Sequence, residues 1–226
     1  LIRINDVTCK RTLFLFWVLF FFAPSGRVYG ETWEASDIGW LIAGGAAGFV
    51  LHESAHVLVA ESFNLHPHVG TRSKPVPFIV IRYDLITFKD SSGETHYLDR
   101  NGTPISDGAQ KKFAIASAGI NSQNLTSELI LTLDPNIREE RRPFLKGVLA
   151  FDILTSMGYA VFGRLDPDGD LKGMSDASGI NNVAIAGLVF LPAAIDLYRY
   201  YYPDSVWAPW AARGAKAYLL GLSFHF

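Results

Sequence analysis

From Ile38 to Ala60 the chain is almost unbroken apolar sequence, interrupted only by His52, Glu53, Ser54 and His56. A run of about 23 residues of this character must either lie in a protein core or cross a bilayer. The interruption spells H-E-x-x-H. On a helix, residues four apart share a face, so His52 and His56 can hold one metal ion together. Glu53 then stands beside that ion, placed to take a proton from a water molecule. A solvated helix face does not account for the pattern, because its flanks are apolar. Gly45, Gly48, His52, His56 and Val59 fall on one stripe, and Gly44 with Gly48 forms a G-x-x-x-G pair that would let a second helix approach closely.

Composition narrows the class. At 226 residues the length suits one domain, and 49% hydrophobic content with 13% aromatic residues is high for a water-soluble chain. A net charge of -2 gives no case for nucleic acid as a partner. The one cysteine, Cys9, rules out an intrachain disulfide and a thiolate zinc site. A metal here must be held by histidine and carboxylate. Lys10 and Arg11 precede an apolar block, Leu13 to Ala23, followed by Pro24, Ser25 and Gly26. That is the layout of a signal peptide or N-terminal anchor over residues 1–30, with Val28-Tyr29-Gly30 as an exit site and an exported start beyond it. Residues 31–226 then form a membrane-embedded domain.

Within that domain we expect a mainly α fold, a polytopic membrane bundle of about four helices with a small β-hairpin or sheet inserted at about 64–110. Asp37 is the expected N-cap of the first helix, which runs to Ala60. Phe78 to Tyr83, Leu85 to Phe88 and Thr95 to Leu98 read as strands, with a turn at Ser91-Ser92-Gly93. His66 and His68 read as surface-loop residues. A second apolar helix is expected from Lys111 or Lys112 to Leu133. It carries Ser117, Asn121, Ser122, Gln123 and Asn124 through its middle, and such amides need partners in an apolar setting. Arg138, Arg141, Arg142 and Lys146 follow it, which by the positive-inside rule points to a re-entrant or partly inserted segment. A third helix is expected from Pro143 to Phe162 and a fourth from Ile180 to Tyr200. Tyr198 to Tyr202, Trp207 and Trp210 suit an interfacial belt. The alternating tail from Tyr218 to Phe226 is strand-like, but the chain lacks the repeats of a β-barrel.

Two histidines make half of a catalytic zinc site, which needs three protein ligands and an open position. The acidic loop from Gly163 to Gly173 is the best source of the third, as Asp170, Asp168 or Asp166, with Asp170 favoured by its flanking glycines. A calcium loop fits poorly, because its twelfth position is Ala177.

This order of parts resembles the site-2 protease family of intramembrane zinc metalloproteases. His52-Glu53-Ser54-Ala55-His56 matches the family's motif in an early membrane helix, and a strand-rich stretch follows. Ile115 to Asn124 is similar to the family's A-G-P-x-x-N segment, with Ile120 in the proline position and Asn124 one residue late. The acidic loop stands where the family places an aspartate ligand. The resemblance implies a zinc-dependent endopeptidase in which His52, His56 and Asp170 bind Zn2+. It further implies Glu53 as general base, and Asn121 or Asn124 orienting a peptide or membrane-protein substrate. The setting it implies is lipid, as in a bacterial inner membrane, crossed several times; oligomeric state is not legible. The rival expectation is a non-enzymatic metal-binding membrane protein, such as a sensor or transporter.

Overall fold

A computed structural model describes residues 33–72, 78–163, 166 and 169–226. The leader expected over 1–30 and the alternative ligand Asp168 lie outside the described residues. The elements run α1 (Ala35–Ser62), β1 (His68–Arg72), β2 (Phe78–Arg82), β3 (Ile86–Lys89), β4 (Thr95–Leu98), α2 (Gly108–Leu133), α3 (Pro143–Val161), α4 (Asp170–Ser178), α5 (Asn182–Tyr201) and α6 (Ala208–His225). The fold is mainly helical, with six helices among the described residues rather than about four. The two additions are α4, nine residues in a loop expected to be irregular, and α6, where alternation had suggested a strand.

Among the described residues three helices, α1, α3 and α5, are long and apolar enough to cross a membrane. The first is arranged with its small and polar side chains inward. Leu41, Gly44, Gly48, His52, His56 and Ala60 are buried, while Ile38, Ile42, Val50, Leu51 and Leu58 are exposed. An apolar outer face with a polar inner stripe suits a helix solvated by lipid. The N-cap of α1 is Glu34, three residues before the expected one. Asp37 is not its N-cap but sits in the first turn, where its carboxylate accepts from the Glu34 N–H at 2.9 Å. Arg141 pairs with Asp37 and Glu34, both at 3.1 Å, pinning this end of α1 to the α2–α3 connection.

The expected close approach at Gly44 and Gly48 is made by α3. A Cβ at Gly44 would run into the Phe144 carbonyl, one at Gly48 would come within 2.8 Å of the Phe151 ring, and one at Gly147 would strike the Leu41 carbonyl. Backbones this close gain packing that no larger residue permits.

Helix α2 is the hub. Ile115 packs with Ala60, Leu65 and Leu85 beneath the strands; Phe113, Ala116 and Ile120 pack with α4, α5 and α6; Ile130 and Leu131 pack with α3 and Tyr200. It is not one of the three apolar helices, because it carries amides and charge into the interior. Glu128 receives hydrogen bonds from Arg199 at 2.6 Å, Arg213 at 2.8 Å and Lys216 at 3.0 Å. Asp196 pairs with Lys216 at 2.6 Å and accepts from Ser127 at 2.7 Å. This network ties α2 to α5 and α6, and its buried charges, Asp196, Arg199 and Lys216, all have partners. Burial alone would raise the Glu128 carboxyl, but the Arg199 and Arg213 hydrogen bonds and the Lys216 charge outweigh it and bring it to about 2.

The inserted β region is two separate antiparallel pairs. β1 pairs with β2, with His68 opposite Arg82, and β3 pairs with β4, with Phe88 opposite His96. The expected Ser91-Ser92-Gly93 turn closes the second pair, and Gly93 adopts a positive φ of 86°.

Candidate metal centre

The helical spacing of α1 does what the motif implies. His52 and His56, four residues apart on the buried stripe, place their Nε2 atoms 3.2 Å from one another. Asp170 joins them from the first turn of α4, with Oδ2 at 3.3 Å from His52 Nε2 and 3.5 Å from His56 Nε2. Three ligand atoms about 2.0–2.1 Å from a tetrahedral zinc ion lie about 3.3–3.4 Å apart. The triangle formed by these three side chains has that size.

The atoms also point the right way. His56 Nδ1 donates to the Ile115 carbonyl of α2 at 2.7 Å, which leaves its Nε2 lone pair facing the triangle. Asp170 Oδ2 is buried without a hydrogen-bond partner among the described residues, although it lies beside two imidazoles. A carboxylate oxygen held there without a donor suits a cation better than it suits a hydrogen-bond network. The residues present therefore fit a zinc ion.

The space for the ion comes from α2. A Cβ at Gly119 would come within 2.5 Å of both His52 Nε2 and His56 Nε2. Two aromatic rings of α3 hold the His52 imidazole. Tyr159 stacks on it at 6.0 Å between centroids, and Phe151 meets it edge-on at 6.3 Å. Helix α4 presents Asp170 because Gly169 is its extended N-cap and Gly179, at φ 71°, ends it in a left-handed turn. Glu53, adjacent to His52, is half-buried beside all three ligand candidates and feels their charge.

The other expected residues fall as follows. Asp166 is a turn residue ahead of α4, its carbonyl accepting from the Gly169 N–H at 3.3 Å, and it is not part of the triangle. Asn121 donates to Ser223 at 2.9 Å, bridging α2 to α6. Asn124 is buried, and its Nδ2 has no partner among the described residues. Gln123 lies four residues after Gly119 and accepts from Ser156 at 3.2 Å, with its Nε2 unpartnered. Sequence reading missed Gly119 and Tyr159. The glycine lay within the segment quoted above but was given no role, and the tyrosine carried no signal beyond being aromatic. His66 and His68 are exposed and apart from the triangle; His66 lies in a loop as expected, whereas His68 opens β1.

A second group, Asp90, Glu94 and His96, sits in the β3–β4 turn. Asp90 already accepts from Ser92 N–H at 2.9 Å, Glu94 N–H at 3.0 Å and His96 at 2.9 Å. Those bonds build the turn and account for the cluster. Compared with protein-family models, curated proteins and solved structures, the chain matches none.

Proposed function

We propose that this chain is a membrane-embedded, zinc-dependent endopeptidase, a divergent relative of the site-2 proteases. The observation that carries the reading is the triangle of His52 Nε2, His56 Nε2 and Asp170 Oδ2, closed at 3.2–3.5 Å around the space that Gly119 leaves. A zinc ion bound there supplies a Lewis acid that polarises a peptide carbonyl and acidifies water. His52, His56 and Asp170 would hold it.

Glu53 takes the proton from the attacking water and returns it to the leaving amine, so the proton is carried and not lost. Tyr159 positions His52 by stacking on its imidazole. Asn121 is engaged with α6, so the substrate-orienting role falls to Asn124, whose amide has no partner. Lipid around α1, α3 and α5 and the buried stripe of α1 keep bulk water from the site, which strengthens each charge in it. Substrates are peptides or membrane proteins, and a bacterial inner membrane is the setting that suits an exported start.

The test is hydrolysis of a panel of fluorogenic peptides by the zinc-loaded protein and by Glu53→Gln. The expected result is turnover that falls at least about a hundredfold in the variant while zinc stays bound. Zinc bound with no difference between the two would identify a metal-binding membrane protein that is not an enzyme.

A further inference from the structure

A cleft of about 760 Å³ opens between the two strand pairs and helix α4. It shares walls with the metal centre. Gly169 and Gly173, which bracket Asp170, form one side. Lys112, one turn before the Ile115 carbonyl that anchors His56, forms another.

The charges in the cleft are uneven. Asp176 is its one carboxylate among the described residues, and Asp176 already pairs with Lys172 on its own helix and with Lys89 at 3.9 Å. Arg82 and Lys112 face the same space, and neither meets a carboxylate among the described residues. Lys112 is held by the Tyr83 hydroxyl at 3.0 Å and lies over that ring at 5.3 Å. Arg82 lies across Gly70 of the paired strand, where a Cβ would come within 2.7 Å of its Nε. Two cations thus face a cavity large enough for several residues of peptide, and no carboxylate among the described residues pairs with either.

We infer that this cleft takes a carboxylate of the bound peptide, held by Arg82 and Lys112, and so selects acidic segments for the site. The inference rests on the peptidase reading for the identity of the ligand as substrate. The carboxylate can come from an Asp or Glu side chain or from the peptide C-terminus, and both offer the same planar pair of oxygens.

Binding, not turnover, tests this. Full-length protein in detergent, carrying Glu53→Gln to prevent cutting, is titrated against fluorescein-labelled decapeptides by anisotropy. One peptide is amidated with two internal Glu residues, one has Gln in their place, and one has the Gln sequence with a free C-terminal carboxylate. The Glu peptide or the free-carboxylate peptide should bind about tenfold more tightly than the amidated Gln peptide, and whichever does so names the source. Arg82→Gln with Lys112→Gln should remove that preference with zinc content unchanged. Arg82→Glu, at an exposed position, should transfer the preference to a Lys-containing peptide. Equal affinity for all three peptides, or a preference that survives the double variant, overturns the proposal. Absence of zinc with the acidic preference intact overturns the peptidase reading instead.

Discussion

His56 Nδ1 donates to the Ile115 carbonyl at 2.7 Å, and this one bond links the motif helix α1 to the hub helix α2. It fixes the tautomer that turns His56 Nε2 toward His52 and Asp170. The bond therefore couples packing to metal affinity. It also sets the sign of the pH response. A proton on either imidazole competes with the metal, so affinity for zinc should fall as pH drops. Isothermal titration with zinc between pH 8 and 5 should show affinity falling steadily as pH drops, by at least about tenfold across the range. A flat profile would mean that the imidazoles are not ligands.

Gly119→Ala should empty the centre without unfolding the protein. The added methyl meets both Nε2 atoms at 2.5 Å, in the space an ion would occupy. Alanine favours a helix over glycine by about 1 kcal/mol, so α2 itself should tolerate the change. Far-UV circular dichroism should be unchanged while bound zinc falls below about a fifth of the wild-type value.

Asp170→Asn and Asp166→Asn should differ sharply. The first removes the anion from the triangle and should weaken zinc binding by about a hundredfold. The second alters a turn residue outside it and should change affinity less than about threefold. Competition with a chromophoric chelator reads both.

The buried network at Glu128 predicts acid sensitivity of a separate kind. Its carboxyl titrates at about 2 in the folded chain against a reference value of 4.5. It therefore contributes stability fully above about pH 4.5, and that contribution is lost as pH falls through about 2. The difference is worth about 3 kcal/mol at most. Glu128→Gln should lower the melting temperature at pH 7 and flatten its fall between pH 4.5 and 2. Removal leaves Arg199 and Lys216 with Asp196 alone.

The spacing of residues within α1 was enough to place two candidate ligands on one face, because four residues on a helix fix a face whatever surrounds it. Pro143 likewise marked the start of α3, where a missing N–H costs nothing. Asp170 was favoured over Asp166 for its flanking glycines. The reason visible in the fold is that Gly169 caps a short helix whose first residue then faces α1. That helix was not legible, since nine residues carry too little periodicity to stand out from a loop. Helix α6 was hidden for a different reason. Its burial is set by contacts with α2 and α5, and Lys216 is inside only because Glu128 and Asp196 meet it there. The roles of Gly119 and Tyr159 depend on which helix lies against His52, and no local pattern carries that information.

Zinc content bears most directly on the central claim. Protein purified in detergent, stripped with chelator, reloaded and analysed by inductively coupled plasma mass spectrometry should carry about one zinc per chain, and His56→Ala should carry almost none. Equal zinc in the two proteins, or none in either after reloading, would contradict the account and leave His52, His56 and Asp170 as a buried polar cluster without a metal.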